Sequence, residues 1–167
     1  MIDAITKNLN RGITLLHSIS DEQYSDNSVA PYFSSIGCHI RHILDVFNCV
    51  LNGYENGCVD LSIRNRNVCI EQDKKLGIQY FEDIISQLNA ISNADLSKTI
   101  SVIDNLGFGK ETANYSLKGA LMQSHSHAVH HYATIAYVIH HLGIDLPDSD
   151  FGFNATTPKK EILNHRV

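Results

Sequence analysis

His127 and His131 stand four residues apart in SLKGALMQSHSHAVHHYATIAYVIHHLG, residues 116–143. On a helix that spacing stacks two side chains one turn apart with Cβ atoms about 6 Å from each other, so both imidazoles can reach one metal ion at about 2.0–2.1 Å. The same stretch holds His125, His130, His140 and His141, so six of the ten histidines in the sequence are gathered there. Leu117, Leu121, Ala128, Ile135, Val138, Ile139 and Leu142 recur at helical spacing and define one apolar stripe. His131 falls inside that stripe and His127 at its edge, whereas His130 and His141 lie on the opposite flank. The competing reading is a long helix with surface histidines that bind nothing. A third ligand from another segment separates the two.

SSIGCHIRHILD, residues 34–45, offers His39 and His42. Ile36, Ile40, Ile43, Leu44, Phe47, Val50 and Leu51 form the stripe of this second helix. His39 lies nearer the centre of the stripe, and His42 lies on its flank beside Val46, so periodicity by itself selects His39. Cys38, Asp45 and Cys49 share the flank with His42, which leaves a mixed sulfur and nitrogen site open. Buried, unreactive thiols are the competing account of both cysteines. A proton-transfer step needs a base within hydrogen-bond reach, and Asp45, Glu71 and His130 are the candidates. Asp45 also suits the role of a carboxylate that orients a ligand histidine. Ser124 and Tyr132 on the histidine helix either face a substrate or pack.

The elements that would carry these groups are helices. Ile2, Ile5, Leu9, Ile13, Leu15, Leu16 and Ile19 predict a first helix over residues 2–19. Residues 20–32 read as a loop, and Ser34 or Ser35 is placed to begin the second helix, which runs to Leu51. Residues 52–67 are polar, contain glycine and lack a period, which predicts a long connection. Leu76, Tyr80, Phe81, Ile84, Ile85, Leu88 and Ile91 mark a third helix over 70–91. A small hairpin around LGFG, in residues 98–116, is weakly signalled by short alternation. Ser116 suits an N-cap and Gly143 a stop for the histidine helix, after which residues 144–167 read as an irregular tail. Four long helices predict an all-α four-helix bundle, occupying residues 1–167 as a single domain.

The 167 residues, 43% hydrophobic and 19% charged, describe a globular chain. A formal charge of −5 gives no electrostatic footprint for nucleic acid or an anionic membrane surface. No basic region followed by an apolar run begins the sequence, and no apolar run has the length of a membrane span. Cys38, Cys49, Cys58 and Cys69 show no CxxC spacing, and a reduced, cytoplasmic protein is expected.

SIGCHIRHILD in helix two and SHAVHHYATI in helix four together resemble the DinB/YfiT-like superfamily, and FGFNATTP resembles the close that family places after its last helix. The resemblance implies a four-helix bundle, often dimeric, in which one histidine of helix two and a late HxxxH pair hold a divalent metal. It selects the histidine of HILD, His42, together with His127 and His131, and leaves His39 as the alternative. DLSIRNRNVCIEQD resembles a stretch in part of the family, which would make Arg64, Arg66, Glu71 and Asp73 pocket-lining residues. The competing reading there is a solvated, charge-balanced loop and helix start. Lys118, Gly119 and Ala120 depart from the charged residues expected early in helix four. Three neutral histidines leave a coordination position open on zinc, and imidazole also suits nickel, copper and iron. The expectation is a metal-dependent hydrolase or small-thiol transferase, acting as a homodimer on an unidentified small molecule. A non-catalytic metal-binding or structural bundle working through dimer contacts is the alternative.

Overall fold

A computed structural model describes residues 1–158. The elements in chain order are α1 (Ile2–Ser18), α2 (Asp21–Ser25), α3 (Ile36–Gly53), β1 (Cys58–Asp60), α4 (Val68–Gln72), α5 (Lys74–Ala90), β2 (Thr99–Asn105), β3 (Lys110–Ser116) and α6 (Leu117–His141). Side chains that precede the helices account for where they begin. Ser35 accepts from the Cys38 amide, Asn67 from Cys69, Asp73 from Lys75 and Ser116 from Gly119, each satisfying a donor that a helix start leaves open. Ser20 and Gln23 form a reciprocal capping box on α2. Gly143 follows α6 with φ +71, in the left-handed region where a glycine ends a helix without strain.

Leu9, Leu16, Ile36, Ile40, Ile43, Phe47, Phe81, Ile84, Leu88, Leu121, Ala128 and Ile135 are fully buried and form the core of the four long helices. Within it α3 packs against both α5 and α6, and α1 against α5. Among the described residues no helix is long and apolar enough to cross a membrane.

The chain is not all-α, as its periodicity predicts. A three-stranded mixed sheet in the order β1-β2-β3 accompanies the helices. β2 and β3 are antiparallel from Thr99 opposite Ser116 to Asn105 opposite Lys110, and they turn through Gly107 and Gly109, both at positive φ. β1 runs parallel to β2, with Cys58, Val59 and Asp60 opposite Ser101, Val102 and Ile103. Val59, Ile100 and Val102 turn inward and are buried, giving the sheet one apolar face. Three residues are too few for alternation to register, and the parallel partner of β1 lies some forty positions on, beyond any local pattern. The short helix α2 falls in a segment that reads as a loop, because one helical turn shows no period, and the helix predicted over 70–91 is broken at Asp73, whose extended backbone separates α4 from α5. The described part of the expected tail, to residue 158, contains no helix or strand, and residues 159–167 of it lie outside the described residues.

Candidate metal centre

α3 and α6 lie side by side and aim four imidazoles into their seam. His42 Nε2 is 3.1 Å from His127 Nε2. Two nitrogens bound to one tetrahedral ion at about 2.05 Å would stand about 3.3 Å apart, so this pair already has nearly the separation that shared ligation demands. The His42, His127 and His131 rings meet edge to face, with centroids 4.8 Å (42–127), 4.7 Å (42–131) and 4.5 Å (127–131) apart. One nitrogen from each of the three lies within 4.8 Å of the others, a grouping that can hold a metal ion.

All the clustered rings are held neutral, the form that offers a lone pair to a metal. Burial, reinforced by the Arg64 charge and then by His127, lowers the His42 pKa to about 4. Burial followed by the neighbouring His127 and His42 takes His131 to about 3. Burial is also the main cause that lowers His39 and His127, with His130 second in each case.

His39 stands one turn before His42, and its Nδ1 is 2.9 Å from His131 Nδ1. Periodicity was right that His39 faces inward, yet the three-nitrogen group contains His42 in its place. A ligand histidine commonly gives its second ring nitrogen to an orienting partner, and His39 occupies that position for His131.

Arg64 fixes the proton arrangement. Its Nη1 is 2.7 Å from His42 Nδ1. A guanidinium can donate and never accept, so Nδ1 is the acceptor and neutral His42 carries its proton on Nε2. Nε2 then donates to His127 Nε2, and the His127 proton sits on Nδ1. These protons are assigned from the hydrogen-bond pattern. Ligation through His42 Nε2 would move the proton to Nδ1, facing a donor, whereas ligation through Nδ1 would need the lone pair that Arg64 occupies. By either nitrogen, a neutral His42 ligates once the Arg64 contact opens. With that one side-chain movement the residues fit a metal.

Asp45 and Glu71 meet each other's partner, Arg41, and not an imidazole. Arg41 Nη1 donates to Asp45 at 2.5 Å and Nε to Glu71 at 2.5 Å. Burial opposes the charge on Arg41, but the hydrogen bonds to Glu71 and Asp45 outweigh it and raise its pKa. The Tyr80 hydroxyl donates to the other Asp45 oxygen at 3.2 Å, which joins α3, α4 and α5 in one partly buried polar network. Arg41 escaped the sequence reading because it sits in a stretch chosen for its histidines. Its spacing to Asp45, four residues along one helix, was the available signal.

Asp73 caps α5, away from this network's hydrogen bonds. Ser124 and Tyr132 pack: Ser124 is buried and donates to the Ala120 carbonyl, and Tyr132 stacks on Phe151 with centroids 4.7 Å apart. His130 is exposed, its ring 5.2 Å from that of His131. Burial, then Asp45, pushes the Cys49 thiol up, and its Sγ donates to the Ile63 carbonyl. Among the described residues no cysteine joins the histidine group.

A cavity of about 290 Å³ opens beside the cluster, lined by Ser34, Cys38, His39, Arg41, His42, Arg64, Arg66 and His131. A larger one of about 610 Å³, lined by residues that include Asn8, Arg11, His125 and Asp150, contains none of the four clustered histidines.

No family model matches the sequence, and no curated protein matches it. Among solved structures, the chain is similar to a DinB-like protein from Bacillus subtilis, with a TM-score of 0.61 and 18% identity over 86% of this chain and 92% of that one. At that identity the likeness is one of architecture, and the chain has a DinB-like fold.

Proposed function

We propose that His42, His127 and His131 hold a divalent metal, zinc in the first instance and nickel or iron as alternatives, and that the protein is a DinB-like metal-dependent enzyme. The observation that carries this reading is the convergence of three neutral imidazoles from two helices with ligand atoms within 4.8 Å. A metal so held supplies Lewis-acid chemistry, activating water or a thiol near neutral pH, which suits a hydrolase or a small-thiol transferase. Three protein ligands without a cysteine leave one coordination position for substrate.

The chain's own groups divide the remaining work. His39 orients His131 through the Nδ1 contact. Asp45 and Glu71, candidates for the base, act in this reading as positioning residues that set Arg41 in the cavity wall.

Elemental analysis of full-length protein, purified without a polyhistidine tag, tests the reading. One divalent ion per chain is expected, and none in His127→Ala at unchanged helical content. Wild-type protein that carries no stoichiometric metal, even after equilibration with zinc, nickel or iron, defeats it. Turnover is then sought with small thiols plus an alkyl electrophile, and with small esters.

A further inference from the structure

The cavity beside the histidines is walled by three guanidiniums, and their charge is not fully answered. Arg41 already meets Asp45 and Glu71. Arg64 and Arg66 have no carboxylate partner among the described residues. With the imidazoles neutral, three arginines against two carboxylates leave one net positive charge at the wall.

We propose that Arg64 is the receptor for a substrate carboxylate, placing a small monoanion against the histidine cluster. The inference rests on the metal reading for the chemistry that follows, but not for the binding itself. Arg64 Nη1 is committed to His42, while Nε is enclosed by protein and has no hydrogen-bond partner. An enclosed charged donor without an acceptor is costly and calls for one. Nε and the adjacent Nη2 form the side-on edge of the guanidinium, which matches the two oxygens of a carboxylate once the side chain leaves His42 and turns that edge from its enclosed position into the cavity. The turn that carries the residue is itself unusual. Arg66 takes φ +47, a left-handed conformation that non-glycine residues seldom adopt and that clusters at binding sites.

A carboxylate suits the wall because its single negative charge matches the one net positive charge there. The contact also couples to the seam. An anion that draws Arg64 away from His42 releases the Nδ1 lone pair, so oxyanion and metal binding assist each other.

Calorimetric titration of the full-length, untagged protein, as purified and after zinc saturation, provides the test. The probes are benzoate, its uncharged isostere benzamide, and inorganic phosphate. Benzoate is expected to bind more tightly than the other two, and Arg64→Gln to weaken it by more than about tenfold, as loss of a charged hydrogen-bonding partner does. Equal affinity for benzoate and benzamide, or unchanged benzoate affinity in Arg64→Gln, overturns the proposal. Tighter phosphate binding overturns the carboxylate assignment. If Arg64→Gln loses its fold by circular dichroism, Arg64→Lys decides, since it keeps the charge without the fork: a several-fold loss supports the receptor, and none overturns it. Metal content is measured in parallel. Arg64-dependent benzoate binding in protein that takes up no metal leaves this proposal standing while the metal reading falls, and metal uptake with Arg64-independent binding does the reverse.

Discussion

Replacing Arg41 by methionine should destabilise the fold sharply while leaving the imidazoles in place. Arg41 is 9% exposed and Asp45 2% exposed, so the substitution strands a carboxylate in the interior with the Tyr80 hydroxyl as its remaining side-chain partner. The Glu71 side chain, 24% exposed, regains water and adds little. Breaking a buried pair by removing one partner costs about 3–5 kcal/mol. For a chain of this size each kcal/mol moves the melting temperature by about 2–4 °C, so a drop of about 6–20 °C is expected. Thermal melts followed by circular dichroism measure it. The double variant Arg41→Met/Asp45→Asn tests the cause: asparagine still accepts from Tyr80 but strands no charge, and at least half of the loss should return. A single variant melting within about 2 °C of wild type, or a double variant no better than the single, would refute the account of Arg41 as the charge that Asp45 requires.

Acid should weaken the fold through its partly buried imidazoles. His42 and His131 are held at about 4 and about 3, so the unfolded chain takes up protons first, from about pH 6.5 downward. Stability is therefore fullest above that value and falls with pH until the folded-state values are passed, and a urea midpoint that stays flat between about pH 7 and pH 4 contradicts it. Gly37→Ala should cost about 1–3 kcal/mol, because a Cβ there runs into the Glu71 backbone, which cannot swing aside as a side chain can. Urea denaturation of that variant checks the figure, and wild-type stability would show that α4 yields easily. His39→Gln should keep stoichiometric metal while lowering affinity about 10–100-fold in chelator competition. Complete loss of the metal would instead make His39 a ligand, and unchanged affinity would remove it from the site.

The four long helices were legible because each repeats its apolar residues over about four to seven turns, and caps such as Ser35 and Ser116 stand where the repeats begin. The His127 and His131 spacing was legible for the same reason, being local to one helix. What crosses between helices was not. Periodicity ranks residues by how centrally they face the core, and it therefore prefers His39 to His42. A site on a seam uses the flank, so the less central histidine joins the three-nitrogen group. The pairing of Asp45 with Arg41 was readable at four-residue spacing, but the arrival of Glu71 from α4 was not, since nothing local brings residue 71 to residue 41. The hairpin of β2 and β3 showed weakly, as local alternation around LGFG, whereas three-residue β1, partnered far along the chain, did not show at all.

That small strand governs the reach of Arg64. Leu61 is fastened to the Ile103 carbonyl at 2.8 Å, and Asn67 is fixed as the cap of α4, so residues 62–67 form a tether clamped at both ends. Six residues stretch to about 20 Å at most, which lets the guanidinium pivot at the mouth of the cavity without drifting from it. Lengthening such a tether costs little closure entropy, about 0.6 kcal/mol for a doubling. The reach of the arginine can thus be retuned in this segment alone, while the imidazoles stay anchored to their two helices.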